Sequence, residues 1–146
     1  MNKFDLNLPA IKDRLLAESE YAFAFLTNIP IVPGHTLICP KRSVTYSNEL
    51  VEEELRDIFS LKSMVCKILQ QALSAEGFNF AWNEGSVAGQ TVPHFHLHVV
   101  PRKEGDAGIT GYEPRVFLYR PGSRAKSPHE ELTSFATELR QYSNNL

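Results

Sequence analysis

Cysteine and long apolar runs are both scarce in this chain of 146 residues. The two cysteines, Cys39 and Cys66, form no Cys-x-x-Cys pair, which argues against a zinc knuckle or a redox motif. We expect two reduced thiols rather than a disulfide. No apolar run approaches the roughly 18 residues of a membrane span, and residues 1–10 lack the apolar stretch of a secretory signal. These absences predict a cytoplasmic protein with no membrane partner.

An excess of charge of one sign is also lacking. The net charge is -2 and the isoelectric point is near 6.2, whereas nucleic-acid binding usually needs a basic face. Hydrophobic residues make up 42% of the chain, which is enough for a core, and the length fits one domain. We therefore predict a single domain over residues 1–146 with no nucleic-acid partner.

The apolar pattern predicts an α+β fold in which an antiparallel sheet is accompanied by separate helices. Predicted strands cover 21–26, 35–39, 78–83, 94–100 and 115–119. Predicted helices cover 9–16, 49–76 and a C-terminal segment that begins at Ser127. Gly77 is the expected stop of the long central helix. A glycine-rich loop over 84–93 precedes the fourth strand, and a second loop covers 103–113.

Three of the five histidines alternate along that fourth strand, at His94, His96 and His98. Successive side chains of a strand point to opposite faces, so these imidazoles share one face and the apolar residues between them face the core. Neutral imidazoles need hydrogen-bond partners and charged ones repel each other. Such a row is therefore expected to serve a function.

Two functions suit a row of imidazoles. The first is a zinc site, but the outer α-carbons lie about 13 Å apart, so another ligand such as His35 is needed. The second is phosphate chemistry, in which a neutral imidazole attacks phosphorus and a neighbour stabilises the charge. His96 is flanked on both sides and is the natural nucleophile. The preceding loop, with Gly85 and Gly89, offers backbone amides to an anion, and this favours the second function.

The stretch GQTVPHFHLHVVPR resembles the signature of the histidine triad (HIT) superfamily. VPGHTLICPKR resembles the upstream hairpin of that family, with its fourth histidine at His35. Asn83-Glu84-Gly85 precedes the Gly-Gln-Thr loop as the family pattern requires. The resemblance covers a triad core of about residues 21–103 and is strongest to the Fhit-like dinucleoside polyphosphate hydrolases. Residues 104–146, predicted as a loop, a short strand and a helix, match less well.

This resemblance implies an antiparallel sheet of about five strands and a homodimer that joins two sheets. It also implies attack on the α-phosphate of a nucleotide, followed by hydrolysis of a nucleotidyl-histidine. By position His96 is the nucleophile, and His98 contacts the phosphate and helps the leaving group. His94 orients the triad through the hydrogen bonds of its ring, and His35 supports it from the neighbouring strand.

The resemblance further implies a substrate-binding set. Asn83, Gln90 and Thr91 match positions that contact the phosphate chain, with Asn83 replacing the glutamine common in the Fhit-like branch. The ribose-contacting asparagine of that branch aligns with Thr27, and Asn28 is adjacent, so either is a candidate. No cofactor and no metal ligand of the protein is implied, although a divalent cation can accompany the polyphosphate substrate.

Three functions are therefore open to this chain. The leading hypothesis is a hydrolase of dinucleoside polyphosphates such as diadenosine tri- or tetraphosphate. A phosphoramidase of purine nucleosides, of the Hint type, is the alternative within enzymes. A nucleotide-binding regulatory protein with weak catalysis is the alternative outside them. The Fhit-like loop sequence favours the first.

Overall fold

The computed structural model describes residues 4–106 and 126–143. Its helices are α1 (Pro9–Lys12), α2 (Glu52–Leu73) and α3 (His129–Ser143), and 3-10 turns cover Ser47–Glu49 and Ser86–Ala88. Its strands are β1 (Leu15–Glu18), β2 (Ala22–Leu26), β3 (Thr36–Pro40), β4 (Gly77–Ala81) and β5 (Leu97–Arg102). The predicted α+β class is confirmed. The strand predicted over 115–119 lies outside the described residues.

The five strands form one antiparallel sheet in the order β1-β2-β3-β5-β4. The hairpin of β2 and β3 is paired from Ala22 opposite Pro40 to Leu26 opposite Thr36. Because α2 connects β3 to β4, the last strand can insert between them, so β5 runs beside β3. The predicted sheet of about five strands is confirmed, and the histidine-bearing segment lies next to the hairpin that carries His35.

The two faces of the sheet carry different apolar clusters. The larger cluster packs α2 and α3 on one face and includes Phe95, Leu97 and Val99, the apolar residues between the triad histidines. The second cluster lies on the other face and consists of Ile11, Phe23, Phe25, Leu37 and Cys39. Since Leu37 is the register partner of His98, the second face is the one that the triad shares.

Helix α2 is shorter than the sequence predicts. It begins at Glu52, where the carboxylate of Glu54 accepts a hydrogen bond from the N–H of Val51 at 2.9 Å. It ends at Leu73, because Ser74 adopts a left-handed conformation with φ of 58°. Gly77, the expected stop, instead begins β4. Neither α2 nor any other helix of the described residues is long and apolar enough to cross a membrane.

Two strand boundaries also differ from the prediction. The helix predicted over 9–16 ends at Lys12, and its last residues form the edge strand β1, which pairs with β2. Strand β5 begins at Leu97 rather than at His94, because the preceding segment bonds elsewhere. The N–H of Phe95 donates to the carbonyl of Val44 at 2.6 Å instead of joining the sheet.

Candidate active site

A pocket of about 280 Å³ opens on the face of the sheet opposite α2. The apolar half of its lining includes Phe4, Leu8, Ile11, Phe25 and Leu37. The polar residues of its lining include Thr27, Asn28, Asn83, Thr91, His96 and His98. The structure therefore gathers most of the predicted site residues around one cavity, with an apolar recess beside them.

His96 is held as a neutral imidazole with a defined tautomer. Its side chain is buried, and its Nδ1 lies 2.7 Å from the backbone carbonyl oxygen of His94. Since a carbonyl only accepts, Nδ1 carries the proton and Nε2 keeps its lone pair. Burial lowers the pKa of His96, an effect that the bond to the His94 carbonyl opposes. The ring is therefore a neutral nucleophile near pH 7.

His98 presents the opposite tautomer next to it. The two ring centroids are 5.1 Å apart, and Nδ1 of His98 lies 2.9 Å from Nε2 of His35. His35 accepts a hydrogen bond on its own Nδ1 from the N–H of Ile31 at 3.1 Å, so its proton is on Nε2 and is donated to His98. His98 must then carry its proton on Nε2. A donor thus lies beside the nucleophilic nitrogen.

His94 acts through its backbone as much as through its ring. Nε2 of the buried ring donates to the carbonyl of Pro40 at 2.8 Å, and Nδ1 accepts from the N–H of Phe4 at 3.1 Å. These bonds tie the segment before β5 to β3 and to the start of the chain. The bond that orients His96 comes from the His94 carbonyl. The ring therefore positions the backbone that positions the nucleophile.

The glycine-rich loop is held in shape by Gln90. Its Oε1 accepts from the N–H of Gly85 at 2.9 Å, its Nε2 donates to the carbonyl of Thr45 at 3.1 Å, and its own N–H donates to the Gly85 carbonyl. Gly85 and Gly89 both have φ above 90°, which favours glycine. The side chain of Gln90 is buried and does not line the pocket, whereas Asn83, Gly89 and Thr91 do.

Glu84 fixes the other end of this loop, a role that the sequence did not reveal. Its carboxylate accepts from the N–H and the hydroxyl of Ser47 and from Nε1 of Trp82. The Ser47 hydroxyl contributes most to lowering the pKa of Glu84. Trp82, adjacent to Asn83, is exposed and lies against Phe95 at 5.6 Å between ring centroids. Ser47 and Glu84 are 37 positions apart in the sequence, so no local pattern could have indicated their hydrogen bonds.

Both ribose candidates lie at the pocket. Thr27 is buried, and its hydroxyl accepts a long hydrogen bond of 3.3 Å from the N–H of Ile29. Asn28 is half-buried, and its carbonyl accepts from the N–H of Ser127 at 2.7 Å. The Asn28 bond connects this loop to the chain just before α3.

Two residues of the apolar half were not expected from the sequence. The ring of Phe4 lies 5.1 Å from that of His96 and 5.3 Å from that of Phe25, between centroids. Arg14 also lines the pocket, with its guanidinium carbon 5.3 Å from the centroid of Phe25. Both precede the predicted triad core. The pairing of β1 with β2 brings Arg14 to the site, and the N–H of Phe4 donates to Nδ1 of His94.

Comparison with known proteins gives consistent matches. The model of the HIT domain family matches residues 9–105. A bis(5'-adenosyl)-triphosphatase of Dictyostelium discoideum is 33% identical over 84% of this chain and 80% of its own. A bis(5'-nucleosyl)-tetraphosphatase of Schizosaccharomyces pombe is 35% identical over 66% of this chain and 53% of its own. The solved structure of Plasmodium falciparum diadenosine triphosphate hydrolase superposes with a TM-score of 0.75 and 28% identity, covering 92% of this chain and 78% of that one. With a family model that spans more than half of its length and a triad in a matching fold, the chain belongs to the HIT family.

Proposed function

We propose that this protein hydrolyses dinucleoside polyphosphates at the α-phosphate through a nucleotidyl intermediate on His96. The observation that carries the proposal is the pair of opposite tautomers in the pocket. Nε2 of His96 has a lone pair for attack, and the adjacent His98 carries a proton on Nε2. The names of the matched relatives from Dictyostelium and Schizosaccharomyces support the same substrate class.

The reaction follows from these hydrogen bonds. Nε2 of His96 forms a bond to the α-phosphorus as the bond to the bridging oxygen breaks, and the distal nucleotide leaves. His98 donates from Nε2 to the oxygens that gain charge. The ring of His96 then carries a positive charge, which the His94 carbonyl stabilises through the proton on Nδ1. Water then attacks the same phosphorus as the bond to Nε2 breaks. The proton lost by the water passes to solvent, a mononucleotide is released, and Nε2 regains its lone pair.

The lining of the pocket suggests how the substrate lies. We assign the apolar half to the nucleobase and the loop around Asn83 and Thr91 to the phosphate chain. Asn28 is our choice for the ribose, because it is half-buried at the pocket and has an amide that can both donate and accept, whereas Thr27 is buried. Gln90 contributes by shaping the loop. The proposal needs no resident cofactor, and a divalent cation would enter on the phosphates of the substrate.

A substrate panel tests the proposed function. We expect the dinucleoside triphosphates of adenosine and guanosine to be hydrolysed with a higher kcat/KM than AMP-lysine, the phosphoramidate of a Hint-type enzyme. Acid quenching during turnover should trap a nucleotide on His96, located by peptide mass spectrometry. A preference for AMP-lysine would favour the phosphoramidase. Tight nucleotide binding without turnover of any compound would favour the regulatory protein.

The lowered pKa of His96 predicts the acid limb of the pH profile. The active form is neutral, and a pKa below the ordinary 6.5 keeps it neutral as the pH falls through 6.5. We expect kcat/KM to hold at pH 6.5 and to decline only below it. The measurement is kcat/KM from about pH 4.5 to 8, with circular dichroism at each pH to verify the fold. A midpoint at or above 6.5 would contradict the assigned protonation state.

We also propose that the protein forms a homodimer through β4 and the flank of α2. In the described residues β4 is an edge strand with a neighbour on one side only, and an unprotected edge readily pairs with another chain. The adjacent surface is aromatic, with Phe80 42% and Phe59 53% exposed. Nζ of Lys62 lies 4.6 Å from the Phe80 ring centroid, which shows that α2 and β4 share this surface. Exposed aromatic patches of this kind mark interaction sites.

Phe59→Glu is expected to convert the dimer to a monomer, because it places a charge in the centre of this surface. The measurement is the molar mass by light scattering after size exclusion at micromolar concentration. Met64→Glu is the matched control, since Met64 is 37% exposed and lies about 140° around α2 from Phe59. An unchanged mass in Phe59→Glu, or an equal loss of mass in Met64→Glu, would contradict this interface.

We further propose a reducing compartment, the cytoplasm. Cys39 and Cys66 are both free thiols. Burial raises the pKa of the Cys39 thiol well above its ordinary value and also raises that of Cys66. Neither cysteine is therefore a ready thiolate, and neither is positioned for a structural disulfide within the described chain.

A further inference from the structure

Arg14 is a buried cation in the wall of the nucleoside pocket. Arg14 is 6% exposed and lies between α1 and β1. Nε donates to the carbonyl of Ala10, and Nη1 donates to the carbonyl of Leu26. Among residues 4–106 and 126–143 no carboxylate pairs with it. The two carbonyls hold the plane of the guanidinium in place but do not neutralise its charge.

One nitrogen of this group remains without a partner. Nη2 makes no hydrogen bond to any residue that the structure describes, although the side chain is buried and lines the pocket. Burial also lowers the pKa of Arg14. Nη2 is not among the fully buried polar atoms of the described residues that lack a partner, so this donor is accessible at the pocket. A guanidinium has only donors. The pocket therefore fits a ligand that brings acceptors to this point.

The sheet register sets the distance from the chemistry. Leu15, Phe25, Leu37 and His98 are successive partners across four strands and form one row. Phe25 is two strand spacings from His98, which is about 10 Å. The guanidinium of Arg14 lies over the Phe25 ring. A nucleotide whose α-phosphate meets the triad and whose base lies along this row brings that base to the guanidinium of Arg14.

We propose that Arg14 selects a 6-oxopurine base by donating from Nη2 to its O6 and N7, so that guanosine substrates are preferred over adenosine substrates. Guanine presents two adjacent acceptors on that edge, whereas adenine presents the N7 acceptor beside an amino donor. With adenine bound, Nη2 would face a donor and stay partly unpaired. This inference rests on the proposed function, because it takes the pocket as the site of a nucleotide substrate.

The test compares kcat/KM for three symmetrical triphosphates, those of guanosine (GpppG), adenosine (ApppA) and inosine (IpppI). We expect GpppG to exceed ApppA by roughly 5- to 150-fold, the range for one bidentate contact to a base. IpppI keeps O6 and N7 and lacks the 2-amino group, so it should follow GpppG. A ratio of GpppG to ApppA at or below one, or IpppI values like those of ApppA, would overturn the inference.

Arg14→Met retains the apolar stem and removes the donor. We expect the ratio of GpppG to ApppA to fall toward one, because GpppG loses the larger share of its rate. Arg140→Met is the matched control, since Arg140 also donates to a backbone carbonyl of this region, that of Leu15, but lies outside the pocket. Its ratio should stay at the wild-type value. Equal losses on both substrates in Arg14→Met would show a packing role and overturn the inference.

A binding measurement separates this inference from the proposed function. In full-length His96→Ala, GMP should bind more tightly than AMP by isothermal titration calorimetry, and this does not require turnover. If no dinucleotide is hydrolysed but GMP is preferred, the proposed function fails and base selection stands. If ApppA is hydrolysed as well as GpppG and the two mononucleotides bind equally, the function stands and base selection fails. This binding measurement does not use Arg14→Met, so it tests base selection even if that variant fails to fold.

Discussion

His96→Ala is expected to lower the turnover of dinucleoside polyphosphates by about 10⁴-fold or more while the fold and nucleotide binding persist. Among the residues that the structure describes, the substitution removes the only nitrogen in the pocket whose lone pair is set toward attack, since Nδ1 of His96 is protonated and bonded to the His94 carbonyl. His98 cannot replace it, because its Nδ1 accepts from His35 and its Nε2 carries a proton. The measurement is single-turnover hydrolysis, with far-ultraviolet circular dichroism to verify folding.

His129→Ala provides the control for the loss of an imidazole as such. His129 is exposed at the start of α3 and lies 3.3 Å from a carboxylate oxygen of Asp13, away from the pocket. We expect wild-type rates and a trapped intermediate in this variant, and no trapped intermediate in His96→Ala. A residual rate above about 1% in His96→Ala, or nucleotide still bound covalently to the variant, would refute the assigned nucleophile.

The triad and its upstream partner could be predicted because their signal is local. Alternation over 94–98 predicts three imidazoles on one face, although β5 begins only at Leu97, and the pattern around His35 predicts a hairpin strand. The structure brings His35 to His98 through the register of β3 with β5. The backbone role of His94 could not be read from the sequence, since a carbonyl has no residue type to reveal it. The tautomers likewise depend on partners, such as the N–H of Ile31, that only the folded chain supplies.

The parts of the site that were missed depend on contacts distant in sequence. Arg14 reaches the pocket because β1 forms an edge strand where a helix was predicted, and Phe4 reaches it through the bond of its N–H to the ring of His94. Glu54 lies in the first turn of α2, where a carboxylate is commonly solvated, but it is buried and paired with Arg42 at 2.8 Å. In each case a tertiary partner outweighs the local propensity that the sequence displays.

His35→Ala is expected to lower kcat by about 100-fold or more with a smaller change in KM. Without the donor on Nε2 of His35, the ring of His98 can carry its proton on Nδ1, and the nitrogen next to His96 then has no proton to offer. The substrate contacts that we assign to Asn83 and Thr91 are left in place. The measurement is the separate change in kcat and KM for GpppG and ApppA.

His35→Gln distinguishes this positioning role from a loss of packing. A glutamine amide can donate to Nδ1 of His98 and accept from the N–H of Ile31, so it should restore part of kcat. Leu139→Ala, in the core of α3, is the stability control, with an expected loss of about 2–5 kcal/mol in unfolding free energy and a wild-type kcat below its melting temperature. If Leu139→Ala lowers kcat as much as His35→Ala, the loss in His35→Ala reflects lower stability. If glutamine restores nothing, a donor at this position does not set the proton of His98. If kcat falls from wild type to His35→Gln to His35→Ala while Leu139→Ala keeps the wild-type kcat, the hydrogen bond to Nδ1 of His98 sets the proton on its Nε2.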